Sequence, residues 1–232
     1  MSLAIALRGY TGLVLAADSR ATGPTGSSDD TSEKFLQINR DTGVLTYGLK
    51  DPGYSGITKL VEATKAQRFE SFARITTEAQ AIFRAEYEQW LAAANLPAGQ
   101  VLPPGSVAFL VGGYDAVHSN QFKVTSYGAP DFAQMPVEMP KLLAARWHVA
   151  QTVTDLFFYP EMTVNQLARL AVLAVMETMT IDPTVGGPIQ LATVTWHQGF
   201  RKVTEDEILK YIEENQSTIV GLNRTLNQLI GE

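Results

Sequence analysis

The sequence predicts an α+β fold in which two β-sheets pack face to face and helices cover both outer surfaces, a four-layer α-β-β-α sandwich. Three observations carry this expectation. Residues 2–8 (SLAIALR) and 13–18 (LVLAAD) are apolar at nearly every position, the pattern of strands buried on both faces. The apolar period changes from strand-like to helix-like after about residue 54 and changes back after residue 105. The resulting order is strands, two helices, strands, two helices, a strand and a last helix, so doubly buried strands have enough helices to lie above and below them.

The first two strands join through the turn GYTG at residues 9–12. A second hairpin follows, KFLQIN and VLTYGL around RDTG, with Gly43 where turns favour glycine. Between residues 54 and 94, Ile57, Leu60 and Val61, then Ala81, Ile82, Ala85, Trp90 and Leu91 recur at helical spacing, predicting two helices with a break near Thr76 and Thr77. NLPAGQVLPPG reads as a loop, and SVAFLVGGYD and QFKVTSYG as strands. Helices are expected over about 140–158, 164–180 and 204–230, the second with Thr163 as N-cap, and PIQLATVTW is a strand between the last two. No repeat, low-complexity tract or linker divides the chain, which points to a single domain over residues 1–232.

Composition removes several function classes. The chain has 232 residues, 45% hydrophobic and 18% charged, enough for one substantial core. A net charge of -6 with no Lys/Arg stripe argues against nucleic acid. With no cysteine, disulfides, thiolate metal sites and cysteine nucleophiles are excluded. His118, His148 and His197 lie too far apart for metal-ligand spacing, and no phosphate-cradling loop is present, so no cofactor is expected. The opening apolar run has no basic leader and is broken by Arg8 and its turn, unlike a signal peptide. LARLAVLAVMETMTI is too short for a membrane span. A cytoplasmic protein without membrane contact is therefore expected.

The hairpins bring chemistry together. If Gly9 and Gly12 flank the first turn, Ser2 lies opposite Ser19 and beside Asp18. If Arg40 lies opposite Gly43, Lys34 comes near Leu49 and Gly48. Asp18 follows the buried run LVLAA, where a carboxylate requires a cation, and Lys34 is the natural candidate.

GLVLAADSRATG, then SEKFLQI, then YGL, in this order and spacing, resembles the opening of a β-type proteasome subunit or its bacterial relatives. A looser likeness continues through FLVGGYD and MTVNQLARLAVLAVMETMTIDPTVGGPI. The resemblance implies an N-terminal nucleophile hydrolase, a peptidase or amidase acting through an acyl-enzyme. By that likeness Ser2 would be the nucleophile once Met1 is removed, with its own α-amine as proton acceptor. Lys34 would supply positive charge beside the hydroxyl, Asp18 would hold Lys34, the Gly48 N–H would donate to the oxyanion, and Asp182 would support the amine. Ser19, Ala21, Thr46 and Lys50, with Ser32 and Leu36, would touch substrate, and Lys50 would favour an acidic or polar side chain. The implied partners are a peptide or protein substrate and further copies of the chain in a ring or stacked rings. The start at Ser2, with no preceding helix, favours a β-type over an α-type subunit. The chain departs from the family pattern in having Ser2 rather than Thr, Val185 where a serine is usual, and no Gly-Ser-Gly loop before the third helix. Those departures support an alternative, a catalytically inactive ring subunit with a structural or binding role.

Overall fold

A computed structural model describes residues 2–22, 28–94, 102–117, 119–138, 141–145 and 147–230, with backbone alone for 22, 28, 141–145, 147 and 220–230. Strands β1 (Leu3–Arg8) and β2 (Leu13–Ala17) form the first hairpin. Gly9 N–H donates to Gly12 C=O at 2.9 Å across the turn, and the register places Ala4 opposite Ala17 and Ile5 opposite Ala16, as anticipated. Their continuous apolar character now has a cause. Leu3, Ile5, Leu7, Val14 and Ala16 face one core, whereas Ala4, Ala6, Leu13, Leu15 and Ala17 face another. Because successive side chains point to opposite faces, a strand between two cores must be apolar throughout.

After a short ribbon of β3 (Ala21–Thr22) and β4 (Ser28–Asp29), the second hairpin comprises β5 (Phe35–Asn39) and β6 (Thr42–Gly48). Its register corrects the expectation. Asn39, not Arg40, opens the turn opposite Thr42, and the pairing shifts between Gln37 and Asn39. Lys34 therefore lies beside Thr46, whose N–H donates to Lys34 C=O at 2.8 Å, instead of beside Leu49 and Gly48.

Helices α1 (Lys50–Gln67) and α2 (Phe72–Ala93) follow. Their break is at Arg68, in the left-handed region at φ 53°, and at Ser71, whose side chain caps α2 by accepting from Arg74 N–H. It does not fall at Thr76 and Thr77, because both hydroxyls donate to Ala73 C=O and are absorbed by a continuous helix.

Strands β7 (Val107–Asp115), β8 (Gln121–Gly128) and β9 (Met135–Pro136) complete a sheet ordered β5-β6-β7-β8-β9. Where a helix was expected from residue 140, which lies outside the described residues, the chain forms β10 (Lys141–Ala145). It pairs antiparallel with β1 and covers its open edge; only then does α3 (Trp147–Phe157) begin. A short apolar run has no period long enough to separate these outcomes. Helix α4 (Val164–Ile181) starts at the predicted Thr163 cap, which forms a capping box with Gln166. Strand β11 (Gln190–Thr195) turns back as β12 (Gly199–Lys202), a partner the sequence reading missed, and α5 (Glu205–Ile230) ends the described chain. The first sheet is thus β10-β1-β2-β11-β12.

Three clusters of buried side chains separate the four layers. One joins the first sheet to α3, α4 and α5, through residues such as Leu7, Leu167, Val172 and Ile208. A second lies between the sheets, with Leu15, Leu45, Leu110 and Phe200. The third joins the second sheet to α1 and α2, where Phe83 stacks on Phe109 with centroids 3.7 Å apart. Among the described residues no helix is long and apolar enough to cross a membrane.

Candidate active site

Asp18 leaves the buried end of β2 with no exposure to solvent. Its Oδ1 accepts from Leu3 N–H at 2.9 Å and from Lys34 Nζ at 2.6 Å. Its Oδ2 accepts from Gly186 N–H at 3.2 Å. Three donors, one of them carrying the opposite charge, are what a carboxylate needs at such depth. Lys34 sits just before β5 at 5% exposure, and burial pushes its ammonium below the ordinary lysine value while Asp18 draws it part of the way back. Because Asp18 holds Leu3 N–H and Lys34 together, the start of β1 is fixed against the lysine.

Lys34 is aimed by the neighbouring sheet. Gln190 on β11 accepts Lys34 N–H at 2.9 Å through its side-chain oxygen and donates to Ser32 C=O at 2.5 Å through its amide nitrogen. Gly186 is held in turn, its C=O accepting from Ser19 N–H at 3.1 Å and Arg20 N–H at 2.9 Å. The Arg20 guanidinium grips both carboxylate oxygens of Asp30 and donates to Pro183 C=O at 2.7 Å. That grip holds the Asp30 carboxyl below the usual carboxylate range. A Cβ on Gly186 would lie 2.5 Å from Arg20 Cζ, so any larger residue here would have to push the guanidinium aside.

In front of this cluster lies a pocket of about 310 Å³ whose lining includes Ser2, Lys34, Thr46 and Gly48. Ser2 itself is 3% exposed. Gly48 ends β6 at φ 95°, packed so closely under Ser106 that a Cβ would collide with its carbonyl.

Of the other anticipated residues, Ala21 and Lys50 line the pocket, as does Ser32. Lys50 is not a bare cation: its Nζ donates to Asp29 Oδ2 at 2.6 Å. Ser19 is outside the lining and 2% exposed, with its hydroxyl donating to Asp30 C=O at 2.6 Å. Leu36 is likewise outside the lining. Asp182 follows α4, and its Oδ1 accepts from Thr184 N–H at 2.9 Å and Thr184 Oγ1 at 2.6 Å. Its C=O accepts from Val185 N–H at 3.0 Å, so it shapes the turn that delivers Gly186 to Asp18.

Sequence reading passed over Gly186, Gln190, Asp29 and Asp30. The paired glycines after Asp182 were the available signal for the first; nothing local marks the others, which act across the fold. His118 lies outside the described residues. Among the described residues no group of three or more His, Asp or Glu is placed to hold a metal ion.

Comparison with known proteins bears on the family and the fold. Residues 2–194 match the family model described as Proteasome subunit. The proteasome subunit beta of Methanothermobacter thermautotrophicus (strain Delta H) is 26% identical over 202 residues, spanning 87% of this chain and 90% of that protein. Among solved structures, the Anbu (Gly-1) mutant from Hyphomicrobium sp. strain MC1 superposes with a TM-score of 0.77 at 14% identity, covering 98% of this chain and 97% of the other. The Anbu helical assembly from Pseudomonas aeruginosa gives 0.75 at 20% identity, with 97% and 96% covered. At these identities the structures report the shared four-layer fold, and the family match extends over most of the sequence: the chain belongs to the proteasome subunit family.

Proposed function

We propose that the chain is a proteasome-like peptidase or amidase in which Ser2, exposed as the first residue by removal of Met1, is the nucleophile. The observation that carries this reading is the convergence of Ser2, Lys34 and Gly48 on one pocket, with Asp18 binding both the Leu3 N–H and the Lys34 ammonium. The Ser2 hydroxyl attacks the scissile carbonyl and passes its proton to the Ser2 α-amine, whose ordinary pKa is close to neutral. The Lys34 charge favours the developing alkoxide, and the Gly48 N–H donates to the tetrahedral oxyanion. Collapse returns the proton to the leaving amine and leaves an ester on Ser2; water, deprotonated by the same amine, then releases the acid. Asp182 contributes by holding the 182–187 turn beneath Asp18. The whole chain acts as one domain in the cytoplasm, without a cofactor. As in the helical assembly reported for the Pseudomonas aeruginosa Anbu, several copies associate, here as a ring or stacked rings.

A second reading, an inactive structural subunit, is favoured by Val185, which is 1% exposed and presents no hydroxyl to the amine. The test is the intact mass of the native protein before and after a peptide epoxyketone, a reagent that needs both the hydroxyl and the free amine of the first residue. Loss of Met1 with a stoichiometric adduct that disappears in Ser2→Ala supports the nucleophile. Retained Met1, or an unreactive Ser2 in protein lacking Met1, favours the inactive subunit.

A further inference from the structure

Four charged side chains line the pocket at Ser2: Asp29, Glu33, Lys34 and Lys50. Each already has an opposite charge. Lys34 is bound by Asp18 and Lys50 by Asp29, both at 2.6 Å. Glu33 is bound by Lys202, which also lies over the Phe35 ring 5.4 Å from its centroid. The Asp29 carboxylate is set in advance of any ligand, since its Oδ1 accepts from Thr31 N–H at 2.9 Å and Thr31 Oγ1 at 2.6 Å while Oδ2 takes Lys50. A carboxylate so held faces Lys50 before any ligand arrives, so Lys50 does not meet a substrate as a lone cation.

Resting on the reading of Ser2 as nucleophile, we infer that the Asp29–Lys50 pair makes this pocket electrically self-compensated, so that it selects a peptide with a neutral, mainly apolar side chain beside the scissile bond. A substrate carboxylate would have to displace Asp29 from Lys50, and a substrate ammonium would have to displace Lys50 from Asp29. Either exchange strips water from a charge without adding a new ion pair. An apolar side chain needs no such exchange; Leu49, Tyr47 and Tyr54 supply apolar surface in the same lining. Breaking the pair on one side uncovers one charge, so the two partners set specificity in opposite directions.

The experiment measures binding of three fluorescein-labelled peptides, ending in Leu, Glu or Lys, to Ser2→Ala protein, where no turnover intervenes. It is repeated with Asp29→Asn, Lys50→Met and both together. Asp29→Asn is expected to improve the Glu peptide relative to Leu by about fivefold, and Lys50→Met to improve the Lys peptide by a similar factor. The double substitution restores the preference for Leu. An unchanged rank order in the single variants, a preference for Glu with the pair intact, or no binding by any peptide overturns the inference. Hydrolysis of the matching aminocoumarin substrates by Ser2 protein separates the two readings. Shifted binding without hydrolysis removes the nucleophile and leaves the pocket chemistry standing; hydrolysis with unshifted selectivity removes the pocket chemistry alone.

Discussion

Two aspartate–lysine pairs flank the same pocket at the same 2.6 Å separation, and they are not equivalent. Asp18 and Lys34 expose 0% and 6% of their side chains, whereas Asp29 and Lys50 expose 43% and 51%. Coulomb attraction at equal distance depends on the surrounding dielectric, and so does the penalty for removing a charge from water. The buried pair is thus held by necessity: neither member can lose its partner without leaving an uncompensated charge in the core. In the exposed pair either member can be rehydrated, so it is free to tune what enters the pocket. Separation alone does not tell these roles apart; depth does.

The largest effect should come from breaking the buried pair. Lys34→Ala is expected to destabilise the fold by about 3–5 kcal/mol through the stranded Asp18 carboxylate, and to reduce any Ser2-dependent turnover by at least about 100-fold. Lys50→Ala should leave the denaturation midpoint essentially unchanged. Equal losses of stability in chemical denaturation of the two variants would break the contrast drawn from depth. The double variant Asp18→Asn/Lys34→Met sharpens it, recovering most of the stability but none of the turnover.

A smaller loss is expected from the turn that feeds Asp18 its third donor. Gly187 has φ 74°, and a Cβ there would strike the Ser19 hydroxyl. Gly187→Ala should lower stability by about 1–3 kcal/mol through backbone strain. It should slow Ser2 acylation as Gly186 shifts from Asp18, read as a fall in kcat with KM little changed.

Proton linkage separates the pairs further. Because burial lowers Lys34 from the usual 10.5, the native state sheds this proton before the unfolded chain does. Between the lowered value and 10.5 the unfolded state binds more protons, so this group makes stability rise with pH there. Under the proposed mechanism turnover should move the other way: it is expected to fall as the Lys34 charge disappears from the pocket, placing the alkaline limb of kcat below 10.5. Lys34→Arg should move that limb upward, and an unshifted limb removes Lys34 from the rate profile.

The weakest expected effect lies outside the pocket lining. Glu207, at the start of α5, is bound by Arg201 and by Thr204, which hold its carboxyl down to about 2. Its contribution is present above the ordinary 4.5 and is lost as pH falls toward about 2. Glu207→Gln should flatten the stability profile over that acidic interval by a small amount, visible only in denaturation series across it.

Local pattern was sufficient wherever a contact spans few residues or repeats along an element. The unbroken apolar run of β1 and β2 announced two cores, and the GYTG turn set the register from Ala4–Ala17 onward, which brings the start of β1 to Asp18 through the Leu3 N–H. Thr163 before its apolar periodic run marked the start of α4 in the same way. Errors arose where competing local choices differ little in energy. Residues 141–145 suit a strand or a helical turn until the open edge of β1 selects the strand. The second hairpin was miscounted because the pairing shifts between Gln37 and Asn39, an irregularity that a regular count outward from the turn does not anticipate. The finished site depends on groups that no spacing rule connects: Gly186 reaching Asp18 across 168 residues, Gln190 steering Lys34 across 156, and Asp29 meeting Lys50 from a different element. Those meetings follow from how the two sheets and their connecting turns pack, since a buried carboxylate accepts whichever donors the fold brings to it.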